Sequence, residues 1–146
     1  MFPFRCHPLE RSLIVHWESS VRGVGLLIEA ELSSDPKDAS SYRSEALFLF
    51  KQSYNHFGEC LSRNPASFVA LRCWGSALCK EALTLKLLRQ DLSDTQKLVV
   101  EGGDKLLLAY RMAPEESENR RCLARFFFDQ GGYQLAEFTK SGEKTL

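Results

Sequence analysis

The sequence has no surplus charge of either sign: 19 lysines and arginines stand against 19 aspartates and glutamates. Without a basic excess, nucleic acid is not the expected partner, and any electrostatic role must lie in how the charges are distributed. Histidine is scarce (His7, His16, His56), and the cysteines Cys6, Cys60, Cys73, Cys79 and Cys122 include no C-x-x-C pair. Neither a metal site nor a disulfide framework follows from such spacing, and no cofactor is expected. An odd set of thiols, most of them inside helical patterns, reads as small buried hydrophobes in a reducing, cytoplasmic setting. Long apolar runs are absent as well. The best candidate, Leu13 to Ile28, is broken by Glu18 and Arg22, short of the roughly 18 to 20 apolar residues that cross a bilayer. Pro3, Arg5 and Pro8 interrupt the stretch where a signal peptide would need an apolar core, so secretion is not expected.

Signs of catalysis are equally thin. Gly102 and Gly103 are not followed by the lysine and hydroxyl residue of a phosphate-binding loop. His16 with Glu18, and His56 with Glu59, are the acid and base pairs that sequence proximity offers. No nucleophile elbow or metal spacing accompanies them, and a non-enzyme is expected.

What is present is a folded core and a repeated pattern. At 146 residues, 44% of them hydrophobic, the chain has material for one domain. The stretch Ala46 to Pro65 (ALFLFKQSYNHFGECLSRNP) aligns with Thr95 to Pro114 (TQKLVVEGGDKLLLAYRMAP) at an offset of 49. Leu49 meets Leu98, Phe50 meets Val99, Phe57 meets Leu106 and Cys60 meets Ala109. Apolar residues three and four apart mark one face of a helix, and each stretch ends in a basic residue and a proline. A second pair, Arg22, Gly25, Ile28 and Glu31 against Arg72, Gly75, Leu78 and Glu81, aligns at an offset of 50.

A glycine inside each of these helices costs about 1 kcal/mol against alanine, which close approach of a neighbouring helix would offset. Between the helices, residues 33–45 and 89–94 are turn-rich, with Asp35 and Pro36 as a helix stop and Ser93 or Asp94 as an N-cap. A third helix begins near Glu115 and is expected to end at Gly131 and Gly132, with a short helix after it to about Lys140. The three phenylalanines Phe126 to Phe128 cannot all face one way on it.

The pattern resembles the tetratricopeptide family. Leu71, Trp74, Gly75 and Leu78 match its first helix, and Ser53, Phe57, Cys60 and Pro65, then Gly102, Leu106, Ala109 and Pro114, match its second. The family unit is about 34 residues, whereas the period here is 49 or 50, similar to the long-period repeats of plant mitochondrial outer-membrane import receptors and of protist proteins. The resemblance implies an all-α fold of antiparallel helix pairs stacked as a short right-handed superhelix. One domain would span residues 1–140, with units over about 12–65 and 66–114, a partial unit over 115–140, and a frayed tail at 141–146.

The activity so implied is that of a scaffold or adaptor that binds a protein or peptide on a concave face lined by the first helix of each unit. In the repeat register Arg22, Arg72 and Arg121 are equivalent. Lys80 and Arg125 lie one turn further on, with Ser76 between Arg72 and Lys80. These six residues are the expected partner-binding set, and an acidic segment is the expected ligand. The alternative is an import-receptor-like module that holds an amphipathic presequence in an apolar groove.

Overall fold

A computed structural model describes the backbone of residues 8–88 and 92–141 and the side chains of 11–88 and 94–130. The fold is all-α: α1 (Pro8–Leu32), α2 (Pro36–Arg63), α3 (Phe68–Leu87), α4 (Leu92–Met112) and α5 (Ser117–Ser141), with no strand among the described residues.

Local chemistry sets the boundaries. Asp35 is the N-cap of α2: its carboxylate accepts the Lys37 backbone N–H at 2.9 Å, and Pro36 follows at the first helical position, where its missing N–H costs nothing. Residues 37–45, expected as loop, are therefore helix. Asn64 closes α2 by donating its backbone N–H to Cys60 O at 2.8 Å, one residue before Pro65. Ser67 then caps α3 by accepting from Ala70 N at 3.2 Å. Helix α4 begins at Leu92, so Ser93 and Asp94, expected as caps, lie in its first turn. Nor do Gly131 and Gly132 end the third helix; the α5 backbone runs through them to Ser141, since two glycines weaken a helix without removing a backbone hydrogen bond. Of the expected tail at 141–146, Ser141 is the last residue of α5 and residues 142–146 lie outside the described residues.

Helices α1 and α2 pack antiparallel. Contacts step in opposite senses along the two chains, from Ser12 on His56, through Ser53 Oγ donating to His16 O at 2.8 Å, to Arg22 on Glu45. Helices α3 and α4 pair the same way, with Gly75 against Gly102. The first helices of the pairs run parallel to each other. Lys80 of α3 lies over the Trp17 ring of α1, and Arg72 of α3 reaches Asn119 of α5. Each helix thus touches its neighbours only: α1 meets α2 and α3, while α5 meets α3 and α4.

The core has one cluster around Leu13, Phe57, Cys60, Ala70 and Ala77, with Trp17 and Trp74 against it, and a second around Leu27, Ala46 and Phe50. Between the pairs a buried polar contact sets register: Tyr54 of α2 donates its hydroxyl to the Glu81 carboxylate of α3 at 2.6 Å. Burial raises the Glu81 pKa, and the Tyr54 hydrogen bond opposes that rise.

The two second helices bury matching positions 49 residues apart: Ala46 and Thr95, Phe50 and Val99, Ser53 and Gly102, Phe57 and Leu106, Cys60 and Ala109. The first helices do not follow the expected offset of 50. Leu78 and Glu81 are buried whereas Ile28 and Glu31 are exposed, and Gly25 has nothing within 4 Å of where a Cβ would stand.

Candidate partner-binding face

Between its flanks on α1 and α5, helix α3 leaves a narrow strip uncovered. Trp17 is met by Lys80 on one side and Asn119 by Arg72 on the other, and Ser76, Lys80, Leu83 and Leu87, spaced four, three and four, run between them. At its C-terminal end the strip opens into a cleft of about 170 Å³ between α3, α4 and α5. Leu83, Leu87, Val99 and Phe126 give the cleft apolar walls, Lys86 and Asp129 border it, and Cys79 stands on its α3 side. Burial lowers the Lys86 pKa and pushes the Cys79 thiol up to about 12, so Cys79 lines the cleft as a neutral sulfur, not a thiolate. Leu87 is 74% exposed and Phe128 of α5 77% exposed, a large apolar presence on a helix surface. Of the three phenylalanines, only Phe126 turns inward, against Gly103.

The six expected binding residues divide unequally over this face. Arg121 and Arg125 are exposed on α5, each ion-paired along its own helix, with Glu118 and with Asp129 (3.7 Å). Exposed pairs of this kind are weak and exchangeable. Ser76 and Lys80 lie on the α3 strip. Arg72 is partly buried and held, its Nη1 donating to Asn119 Oδ1 at 2.9 Å.

Arg22 does not belong to the group. It points to α2, where it pairs with Glu45 at 3.3 Å. With Trp17 level with Lys80, Arg22 lies beyond that level on α1 and Arg72 before it on α3, about 20 Å apart along the axes at 1.5 Å per residue. Arg22, Arg72 and Arg121 therefore do not form a single column. The cleft itself was not expected. Its signal in the sequence is the pair Leu83 and Leu87, whose side chains the structure leaves exposed.

The histidines assemble differently from their sequence neighbourhoods. His16 and His56 stack with ring centroids 3.8 Å apart and planes at 19°. His56 Nε2 lies 2.7 Å from Ser12 Oγ and 3.4 Å from Cys60 Sγ, while Glu59, the expected partner, accepts from Arg63 at 3.0 Å. Among the described residues no group of three histidines, cysteines or acids is placed to hold a metal ion.

Burial, then the neighbouring His56, lowers the His16 pKa, and its Nδ1 is buried without a hydrogen-bond partner. The unfolded chain takes up this proton more readily than the folded one, so stability is full above the ordinary histidine pKa near 6.5 and declines as pH falls through it. Thermal unfolding between pH 5 and 7.5 is expected to show this slope in the wild type and a shallower one in His16→Gln; equal slopes would assign the pH dependence elsewhere.

No family model, curated protein or solved structure matches this chain. Among the described residues no helix is long and apolar enough to cross a membrane.

Proposed function

We propose that the protein is a non-catalytic interaction scaffold of long-period, tetratricopeptide-like helix pairs, which captures an amphipathic helix of a partner protein on the face shared by α3 and α5. The observation that carries this reading is the apolar cleft walled by Leu83, Leu87 and Phe126, on helices that also carry the exposed basic side chains Lys80, Arg121 and Arg125. A cleft of about 170 Å³ suits one large apolar side chain, the kind of central anchor that dominates helix-in-groove recognition. Lys80 and the two arginines favour an acidic flank on the same helix and disfavour a basic presequence. Free thiols at Cys73, Cys79 and Cys122 suit a reducing compartment such as the cytoplasm.

A fluorescence-anisotropy comparison of acidic, neutral and basic amphipathic helical peptides tests the reading. Acidic peptides are expected to bind, to weaken with salt, and to lose about tenfold or more in affinity with Leu87→Asp, as truncating a central anchor does. Lys80→Glu with Arg125→Glu should abolish the preference for acidic peptides, and Arg22→Glu should leave binding intact. Preferential binding of basic peptides, or indifference to Leu87→Asp, would count against this face and restore the presequence alternative.

A further inference from the structure

The outer surface of α1 carries a pattern that the proposed partner face does not use. At about 100° per residue, Ile14, Val21, Gly25, Ile28 and Leu32 fall within a sector of roughly 60°. This sector lies beside the Trp17 and Val24 edge that meets α3, and it is uncovered: Ile14 is 62% and Leu32 77% exposed, and no atom comes within 4 Å of a Cβ placed on Gly25. Next to it runs a second sector of Arg11, Glu18, Arg22 and Glu29, all exposed, in the order plus, minus, plus, minus.

That order is self-complementary in one orientation only. When two copies of α1 lie antiparallel about a two-fold axis near Val21, Arg11 of each faces Glu29 of the other and Glu18 faces Arg22. In a parallel, in-register pair the two charged sectors would lie on opposite sides of the contact and meet no charged partner. The same antiparallel register, within one residue, sets Val21 on Val21 and Ile14 on Ile28. Gly25 then falls opposite Ile14 and Glu18 of the second copy, where the absence of a Cβ lets the helix axes approach. We propose that the protein forms an isologous dimer through antiparallel α1 helices, with Val21 on the two-fold axis and the Arg11–Glu29 and Glu18–Arg22 pairs fixing the register. The glycine that no intramolecular neighbour explains is accounted for by this contact. The exposed Arg22–Glu45 pair is no obstacle, since such pairs are weak and Arg22 can change partner.

Sedimentation velocity of the full chain over a hundredfold concentration range tests the proposal, with circular dichroism confirming helicity for each variant. A reversible dimer is expected for the wild type, and a monomer for Val21→Glu, which sets two carboxylates against each other on the axis. Glu18→Arg, which places arginine against Arg22 of the second copy, should weaken the dimer at least tenfold, and Glu18→Arg with Arg22→Glu should restore it. A wild type that stays monomeric throughout overturns the proposal. So does a dimer that survives Val21→Glu, or one whose charge-swapped variant fails to recover while remaining helical. Peptide binding at Leu87 and Lys80 uses other residues and reads out separately.

Discussion

Gly75→Ala is expected to destabilise the protein by about 2 kcal/mol and to lower its thermal midpoint by roughly 5–8 °C. A methyl group there would stand 2.8 Å from Leu106 Cγ and 2.9 Å from the carbonyl oxygen of Gly102. The leucine can rotate, but the carbonyl belongs to the α4 backbone, and relieving that contact means moving one helix off the other. From the opposite side, a Cβ on Gly102 would meet Gly75 O at 3.0 Å. The two helices therefore cross at their closest where neither has a side chain. Gly25→Ala should behave in the opposite way. With no neighbour to displace, it replaces a flexible helical residue by the best helix former and should gain about 0.5–1 kcal/mol. Differential scanning of both variants at high dilution, where association through α1 makes no contribution, checks the contrast; shifts of the same sign would mean that the two glycines do share one structural position.

That contrast shows where the sequence can be read and where it cannot. The second helices α2 and α4 each pack on the helix that precedes them and on the first helix of the next pair, so the same positions are buried in both and a spacing of 49 emerges from the apolar pattern. The first helices have different surroundings. Among the described residues helix α3 meets α1, α2, α4 and α5, while α1 meets α2 and α3 alone. Its exposed Ile28 imitates a core position, and aligning it with the buried Leu78 of α3 set Gly25 on Gly75 and drew Arg22 into a basic column it does not join.

The start of α2 was hidden for a different reason. Residues 37–45 are nearly all exposed, Ala39 being the one buried among them, so they carry no apolar period, and the Asp35–Pro36 pair reads equally as the stop of one helix and the start of the next. Of the candidate face, the repeat register placed Ser76 and Lys80 on α3 and Arg121 and Arg125 on the next helix, α5. The cleft was not legible, because it exists only where three helices diverge.

Asn119 was wholly illegible, and its replacement is expected to have the other large effect. It sits in the first turn of α5, only 1% exposed, where an asparagine would ordinarily face water. Its amide nitrogen donates to Ala109 O and to Ala113 O, each at 3.1 Å, adding a second bond to carbonyls at the C-terminal end of α4 that also accept the backbone N–H groups of Ala113 and Glu116. Its amide oxygen accepts from Arg72 of α3 at 2.9 Å. One side chain thus ties three helices together in a site closed to water. Asn119→Ala removes three hydrogen bonds, leaves a guanidinium N–H to find another partner and opens a small void, at a cost of about 3 kcal/mol, or a fall in midpoint of roughly 10 °C. Asn119→Asp retains the acceptor for Arg72 but replaces the amide nitrogen, and both its N–H donors, by one oxygen facing two carbonyl oxygens, and should be no better than alanine. Arg72→Ala should cost less, because a partly exposed guanidinium is lost and the two carbonyl contacts survive. If Asn119→Ala is neutral while Arg72→Ala is severe, the bond from α3 is the one that matters and the capping of α4 is incidental. The expected order has a functional consequence, since the seat of Asn119 fixes how α5 lies on α3 and α4. A loosened α5 carries Phe126 and Arg125 away from Leu83 and Lys80, so Asn119→Ala should lose peptide binding well below its own melting temperature.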